Sequence, residues 1–348
     1  MMTDKFILKK DHLTPFLRKL GKGNCLVVPL KNRHGDTLFT EIDEIDGAQL
    51  DLATQPQNSI KQFFLPQREV LATYQVQDSG AYGFTPVVPT GGPTVFFGVR
   101  SCDLSGVLYM DVTFLQGITD APYRRKRLDS VLIGLNCNQP FGNCFCNATK
   151  SGPFIEYGAD LQFTDIGDCY LVEVGRTKGA AIVEKWHQFF SPAEEKDTKK
   201  QYQAFLEARG CFSQMVHVDQ AIKRLQEDGV PSEIWHQLSS RCHDCAGCAY
   251  ICPTCTCFTI TDSPLTADSG ERLRTWDACT FSGFTKMAGG HNPVARKTDA
   301  IRQRFMHKLC YDVQKHGRPS CVGCGRCVDM CFGGTDILRF INMACEGS

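Results

Sequence analysis

The stretch Arg241–Cys257, RCHDCAGCAYICPTCTC, places six cysteines in seventeen residues, and its reading decides how the second half of the chain folds. Cys242, Cys245, Cys248 and Cys252, the last followed by Pro253, spell C-x2-C-x2-C-x3-C-P. In such a run three closely spaced thiolates wrap one iron-sulfur cubane, and the fourth crosses to the other cluster of a pair. Cys321, Cys324, Cys327 and Cys331 in CVGCGRCVDMC repeat the spacing. The expected wiring is Cys242, Cys245 and Cys248 with Cys331 on one 4Fe-4S cluster, and Cys321, Cys324 and Cys327 with Cys252 on the other. The long segment between the two runs predicts an α-helical ferredoxin-like dicluster domain over 241–348, not a compact bacterial ferredoxin. Structural zinc also uses paired C-x2-C knuckles, but four sulfurs suffice for it, and the repeated third and fourth steps have no zinc rationale. Cys255 and Cys257 are left over; in an extended TCTCFTI they share one face and read as packing thiols, facing the cluster or Cys279.

Working outward, the first half reads as α/β. NCLVVPL (24–30), TVFFGV (94–99), SVLIGLN (130–136) and CYLVEV (169–174) are short β-branched and aromatic runs bounded by turn residues, the pattern of buried strands. This predicts an α/β domain over 1–179. Residues 180–240 have helical spacing, with Ser191 and Ser232 as N-caps and Gly229 as a stop, and read as a helical connection. In RKTDAIRQRFMHKL, Ile301, Phe305 and Leu309 form one apolar stripe. Arg296, Lys297, Arg302, Arg304 and Lys308 on the same segment read as a solvated basic face, since exposed charges contribute little. Arg100 and Arg326 sit beside proposed ligands, where cations raise a cluster's potential.

A third constellation lies in the first half. Cys102 follows the strand TVFFGV and Cys137 follows SVLIGLN, so if the two strands are parallel neighbours both thiols emerge at the sheet edge where α/β folds place ligands. Cys144 and Cys146 lie within loop reach. Spacing alone leaves two readings open for these four: a further cluster, or buried core thiols.

Composition narrows the function classes. The chain has 348 residues, 22% charged and 42% hydrophobic, with a formal net charge of zero, so no global field points to nucleic acid or an anionic membrane. No apolar run is long enough to span a bilayer, and MMTDKFILKKDH has charges where a signal peptide needs an apolar stretch. The expectation is a cytoplasmic protein without membrane insertion, whose 20 cysteines stay reduced and available to metal. No G-x-G-x-x-G follows a strand, so a nicotinamide is not expected to bind here, and neither a catalytic residue nor a cofactor beyond the clusters is proposed. No helix-turn-helix or basic-aromatic pattern suggests nucleic acid.

With CHDCAGCAYICPTCTCF, WDACTFSGFTKMAGGHNP, RQRFMHK and CVGCGRC, and with FFLPQREVL, GVRSCDL and CNQPFGNCFC in the first half, the chain resembles two iron-sulfur proteins across nearly its full length. These are the beta subunit of cytosolic sulfhydrogenases and the iron-sulfur subunit of anaerobic sulfite reductase. The resemblance implies a non-catalytic electron-transfer subunit carrying several 4Fe-4S clusters. It implies as partners a flavin and NAD(P)-binding subunit with its own iron-sulfur cluster, and a catalytic subunit of hydrogenase, sulfite reductase or heterodisulfide-reductase type. It also implies a third cluster on Cys102, Cys137, Cys144 and Cys146. One departure is Phe332, which stands where the family has proline after the last cysteine. Two other functions compete: direct reduction of a small sulfur compound at an under-ligated cluster, and a zinc scaffold or iron-sulfur sensor module.

Overall fold

The computed structural model describes residues 5–346. Twelve strands are found among them: β1 Lys5–Lys9, β2 Cys25–Lys31, β3 Thr37–Ile42, β4 Arg68–Val76, β5 Tyr82–Pro86, β6 Thr94–Val99, β7 Ser130–Leu135, β8 Leu161–Asp165, β9 Cys169–Val174, β10 Ser191–Pro192, β11 Phe258–Pro264 and β12 Ser269–Trp276. Eight form one mixed sheet in the order β10-β1-β9-β8-β7-β6-β2-β3. Its middle, β2-β6-β7-β8, is parallel.

The middle strands are apolar on both faces because both faces are covered. Val95, Phe97, Ile133 and Leu135 pack on the helix Leu13–Gly21 through Phe16, Leu17 and Leu20. Phe96 and Leu132 face the helix Ser101–Leu115 through Leu104, Val107, Met110 and Phe114. The last helix follows β6 directly, so Cys102 lies in its first turn, while Cys137 follows β7. The parallel neighbours expected of TVFFGV and SVLIGLN are present, and both thiols leave the sheet at one edge.

The cysteine-rich half is not purely α-helical. Between its two cysteine runs the chain forms the hairpin β11–β12, and β12 pairs with β4 to complete a four-stranded antiparallel sheet, β11-β12-β4-β5. The polar composition of ERLRTW hides a strand because one of its inward residues is an arginine: Arg274 is buried and ion-paired with Glu69 and Asp120, which removes the cost of its charge. The sheet thus joins a hairpin from each half of the sequence.

Helices do build the rest of that half. Val218–Gln226, Ser232–Arg241, Lys297–Met306 and Ile337–Glu346 share one core in which Trp235, Phe305 and Phe340 stack, Phe305 on Phe340 at 4.5 Å between centroids. Such ring pairs add roughly 0.5–1.5 kcal/mol beyond area burial. The stripe Ile301, Phe305, Leu309 is buried here. The segment Lys297–Met306 continues through one π-helical turn, His307–Tyr311, into Asp312–His316. Ser191 is not a cap: it lies in β10, and the helix Glu195–Gly210 is capped by Glu194 in a capping box with Asp197.

Candidate iron-sulfur centres

The two cysteine runs fold the same way. In the first, Asp244 and Ala246 both have φ +55°; in the second, the equivalent Gly323 and Gly325 have φ +59° and +78°. Alternation of left- and right-handed residues turns successive backbone N–H groups into one concavity, a nest that accepts anions, iron-sulfur clusters among them. Aspartate and alanine disfavour this conformation. Its recurrence at the same two places shows the turn is required there.

Around the second run, Cys252, Cys321, Cys324 and Cys327 line one cavity with about 350 Å³ of space not filled by atoms. Burial pushes Cys321 up to about 11 and Cys324 up to about 12. Cys252 moves the other way, because a hydrogen bond with Cys255, against the effect of burial, favours its thiolate. Thr254 Oγ1 lies 3.3 Å from Cys252 Sγ and accepts from Lys308 Nζ at 3.0 Å. Lys308 and Arg304 both line this cavity and both are buried, so these two members of the basic run do not belong to a solvated face. Burial opposes the Lys308 charge, yet the sulfurs of Cys252, Cys255 and Cys321 hold its pKa well above that of an ordinary lysine.

The first run is more open. Cys245 is exposed and Cys242, Cys248 and Cys331 are half-buried. Its sulfurs accept backbone hydrogen bonds, Asp244 N–H to Cys242 Sγ at 3.4 Å and Thr335 N–H to Cys331 Sγ at 3.1 Å. Cys331 is carried to the first run by close packing. A Cβ on Gly247 would lie 3.0 Å from Met330 Cγ, and one on Gly333 would overlap the Arg241 carbonyl at 2.1 Å. Arg241 Nε donates to Gly333 O at 2.9 Å across the same seam.

The N-terminal thiols are buried and close to one another. Cys144 and Cys146 lie within electrostatic reach of Cys137, and Cys102 within reach of Cys144. Burial raises all four, Cys144 to about 11. This group abuts the second run. Cys102 packs with Val322 and Cys324, Phe145 N–H donates to Gly323 O at 2.8 Å, and Ser151 Oγ donates to Val322 O at 2.7 Å. A side chain on Gly323 would strike the Phe145 carbonyl at 2.6 Å, so only glycine lets these loops nest. Between them Arg326 makes a bidentate bond to Asp103, at 2.7 and 3.0 Å, with both side chains buried.

Among the described residues no three His, Cys, Asp or Glu side chains close on a single ion-sized position. The donor set fits a cubane instead, whose thiolates surround a volume. That fit rests on soft thiolate ligands, a cavity lined by four of them, and an anion-accepting backbone in each run.

Two comparisons bear on this arrangement. A family model described as a 4Fe-4S dicluster domain matches residues 241–335. Sulfhydrogenase 2 subunit beta of Pyrococcus furiosus is 28% identical over 341 residues, covering 98% of each chain. The chain belongs to this family of 4Fe-4S dicluster subunits. Family members of this kind carry electrons through 4Fe-4S clusters within an oxidoreductase, and the dicluster domain accounts for two such clusters. Among the described residues no helix is long and apolar enough to cross a membrane.

Several participants escaped sequence reading. Arg304 and Lys308 lie three and seven residues past Ile301, which places them on the inward face of its stripe; the helix period carried that signal. Asp103 gave none, because its partner Arg326 is remote in sequence. Cys257 and Cys279 share a hydrogen bond that brings Cys257 down to about 6 and raises Cys279, so these thiols face each other beside the centre.

Proposed function

We propose that this chain is the non-catalytic electron relay of a multisubunit oxidoreductase. Its ligand sets are Cys242, Cys245, Cys248 and Cys331; Cys321, Cys324, Cys327 and Cys252; and Cys102, Cys137, Cys144 and Cys146. Bound cubanes supply one-electron chemistry. The chain's own residues supply four thiolates per site, exclude water from two sites, and leave one at the surface. The relay runs between a flavin and NAD(P)-binding subunit with its own cluster and a catalytic subunit of hydrogenase, sulfite reductase or heterodisulfide-reductase type, in the cytoplasm.

The observation that carries this reading is contiguity. The N-terminal thiols touch the second run, and the second run adjoins the first through Arg304, which lies within reach of both Cys248 and Cys327. An electron relay needs such an unbroken series, whereas a zinc scaffold does not. Each set also has four thiolates, which leaves no open iron for direct reduction of a sulfur compound. The test is EPR of the full chain, purified without oxygen and reduced with dithionite. Spectra of several interacting 4Fe-4S clusters, unchanged by sulfite, polysulfide or NADPH, are expected; a substrate-dependent spectrum of the isolated chain would overturn the relay in favour of catalysis.

A further inference from the structure

Two buried cations face the cysteine-lined cavity with no carboxylate among the described residues paired to them. Lys308 is 6% exposed and its Nζ reaches Cys252 Sγ through the Thr254 hydroxyl. Arg304 is 3% exposed; one N–H donates to Thr335 O at 3.2 Å, and its Nε has no partner among the described residues. Other buried cations are neutralised: Arg274 by Glu69 and Asp120, Arg326 by Asp103. A buried charge without a counter-charge is costly, so a fold keeps one where an anion completes the site.

The three sets differ in this respect. At the exposed set, the nearby Asp244 and Lys297 cancel each other at 3.0 Å, and Arg304 reaches only Cys248 from the inside. At the N-terminal set, Arg326 is cancelled and Arg100 remains, buried and hydrogen-bonded to the Leu52 carbonyl. The set of Cys252, Cys321, Cys324 and Cys327 lies between the other two and has both uncompensated cations on its wall. Burial and charge therefore favour opposite orders of reduction. Burial alone disfavours adding negative charge and would make the central site the last to be reduced. Cations at its wall would make it the first.

Building on the relay reading, we propose that Lys308 and Arg304 make the central site an electron well, where the first electron to enter the chain comes to rest. One electron leaves a low-potential donor, the flavin subunit in the complex or dithionite in vitro, and one is gained at the central site, with no proton or group transferred. The chain then holds one electron between an outer and an inner neighbour until a second arrives, which suits a relay that serves two-electron partners.

The test is a stepwise dithionite titration of the full, iron-loaded chain followed by EPR. The first signal to appear should be missing in Cys321→Ser and retained in Cys245→Ser. In Lys308→Met the midpoint of that signal should fall while the others hold, and Lys308→Arg should restore it. If the neutral variant does not load with iron but Lys308→Arg does, the charge requirement stands, and Thr254→Val, which keeps the charge and removes only the hydroxyl bridge, should give a smaller fall. A first signal that disappears in Cys245→Ser instead, or a midpoint unmoved in iron-replete Lys308→Met, would overturn the proposal and leave the relay intact. A wild-type chain without 4Fe-4S signals would overturn the relay itself.

Discussion

The runs Cys242–Cys248 and Cys321–Cys327 have the same spacing and the same left-handed turns, yet one ends at solvent and the other lies in the interior. The first run meets only its own counterpart, through Gly247 on Met330 and Arg241 on Gly333. The second is roofed by the loop 143–151 and by the ion pair of Asp103 and Arg326. Spacing therefore specifies the turn, whereas distant residues specify the environment, and with it whether a site serves as an outlet or as an interior station.

Equivalent substitutions in the two runs should separate these contributions. The largest difference is expected between their acidic partners. Asp103→Ala strands Arg326 in the interior and should cost about 3–5 kcal/mol; Asp244→Ala removes a half-exposed partner of Lys297 and should cost less than about 1 kcal/mol. Anaerobic denaturant titration of the iron-loaded chains measures both, and equal costs would deny that the two runs differ in burial.

A smaller and opposite pair of effects is expected at the third position of each run. Gly323→Ala combines a left-handed backbone with contact on the Phe145 carbonyl and should lose on the order of 1–3 kcal/mol together with the packing of the N-terminal thiols. Asp244→Gly relieves the same backbone strain at an open site, and in its holo form should cost no more than Asp244→Ala. A destabilised Asp244→Gly alongside a neutral Gly323→Ala would reverse the comparison.

The smallest effect on stability is expected at Phe332, which follows Cys331 and is 89% exposed. Phe332→Ala should change stability by no more than about 0.5 kcal/mol, while slowing electron exchange with the partner that docks at the outlet. Stopped-flow reduction of the chain by its flavin subunit would show this, and an unchanged rate would place the outlet elsewhere.

The strands of the parallel sheet were legible because burial on both faces makes them continuous apolar runs, as in TVFFGV, and the eight C-terminal thiols because cluster ligation demands fixed spacing. The hairpin β11–β12 was not, since Arg274 disguises an inward position and its carboxylates, Glu69 and Asp120, lie far away in sequence. Lys308 and Arg304 escaped for a related reason: a charge reads as solvent-facing unless its counter-charge is visible, and theirs is carried by thiolates contributed from several segments. Cys102, Cys137, Cys144 and Cys146 stand between these cases. Strand order put the first two at one edge, but only the folded loop 143–151 brings all four against the second run.

The most direct test of a contiguous three-centre relay is the iron and acid-labile sulfide content of the anaerobically purified chain and of three single variants. About twelve irons per chain are expected, with a loss of about four in each of Cys245→Ser, Cys321→Ser and Cys137→Ser. About eight irons in the wild type, unchanged in Cys137→Ser, would contradict it and leave the N-terminal cysteines as packing thiols.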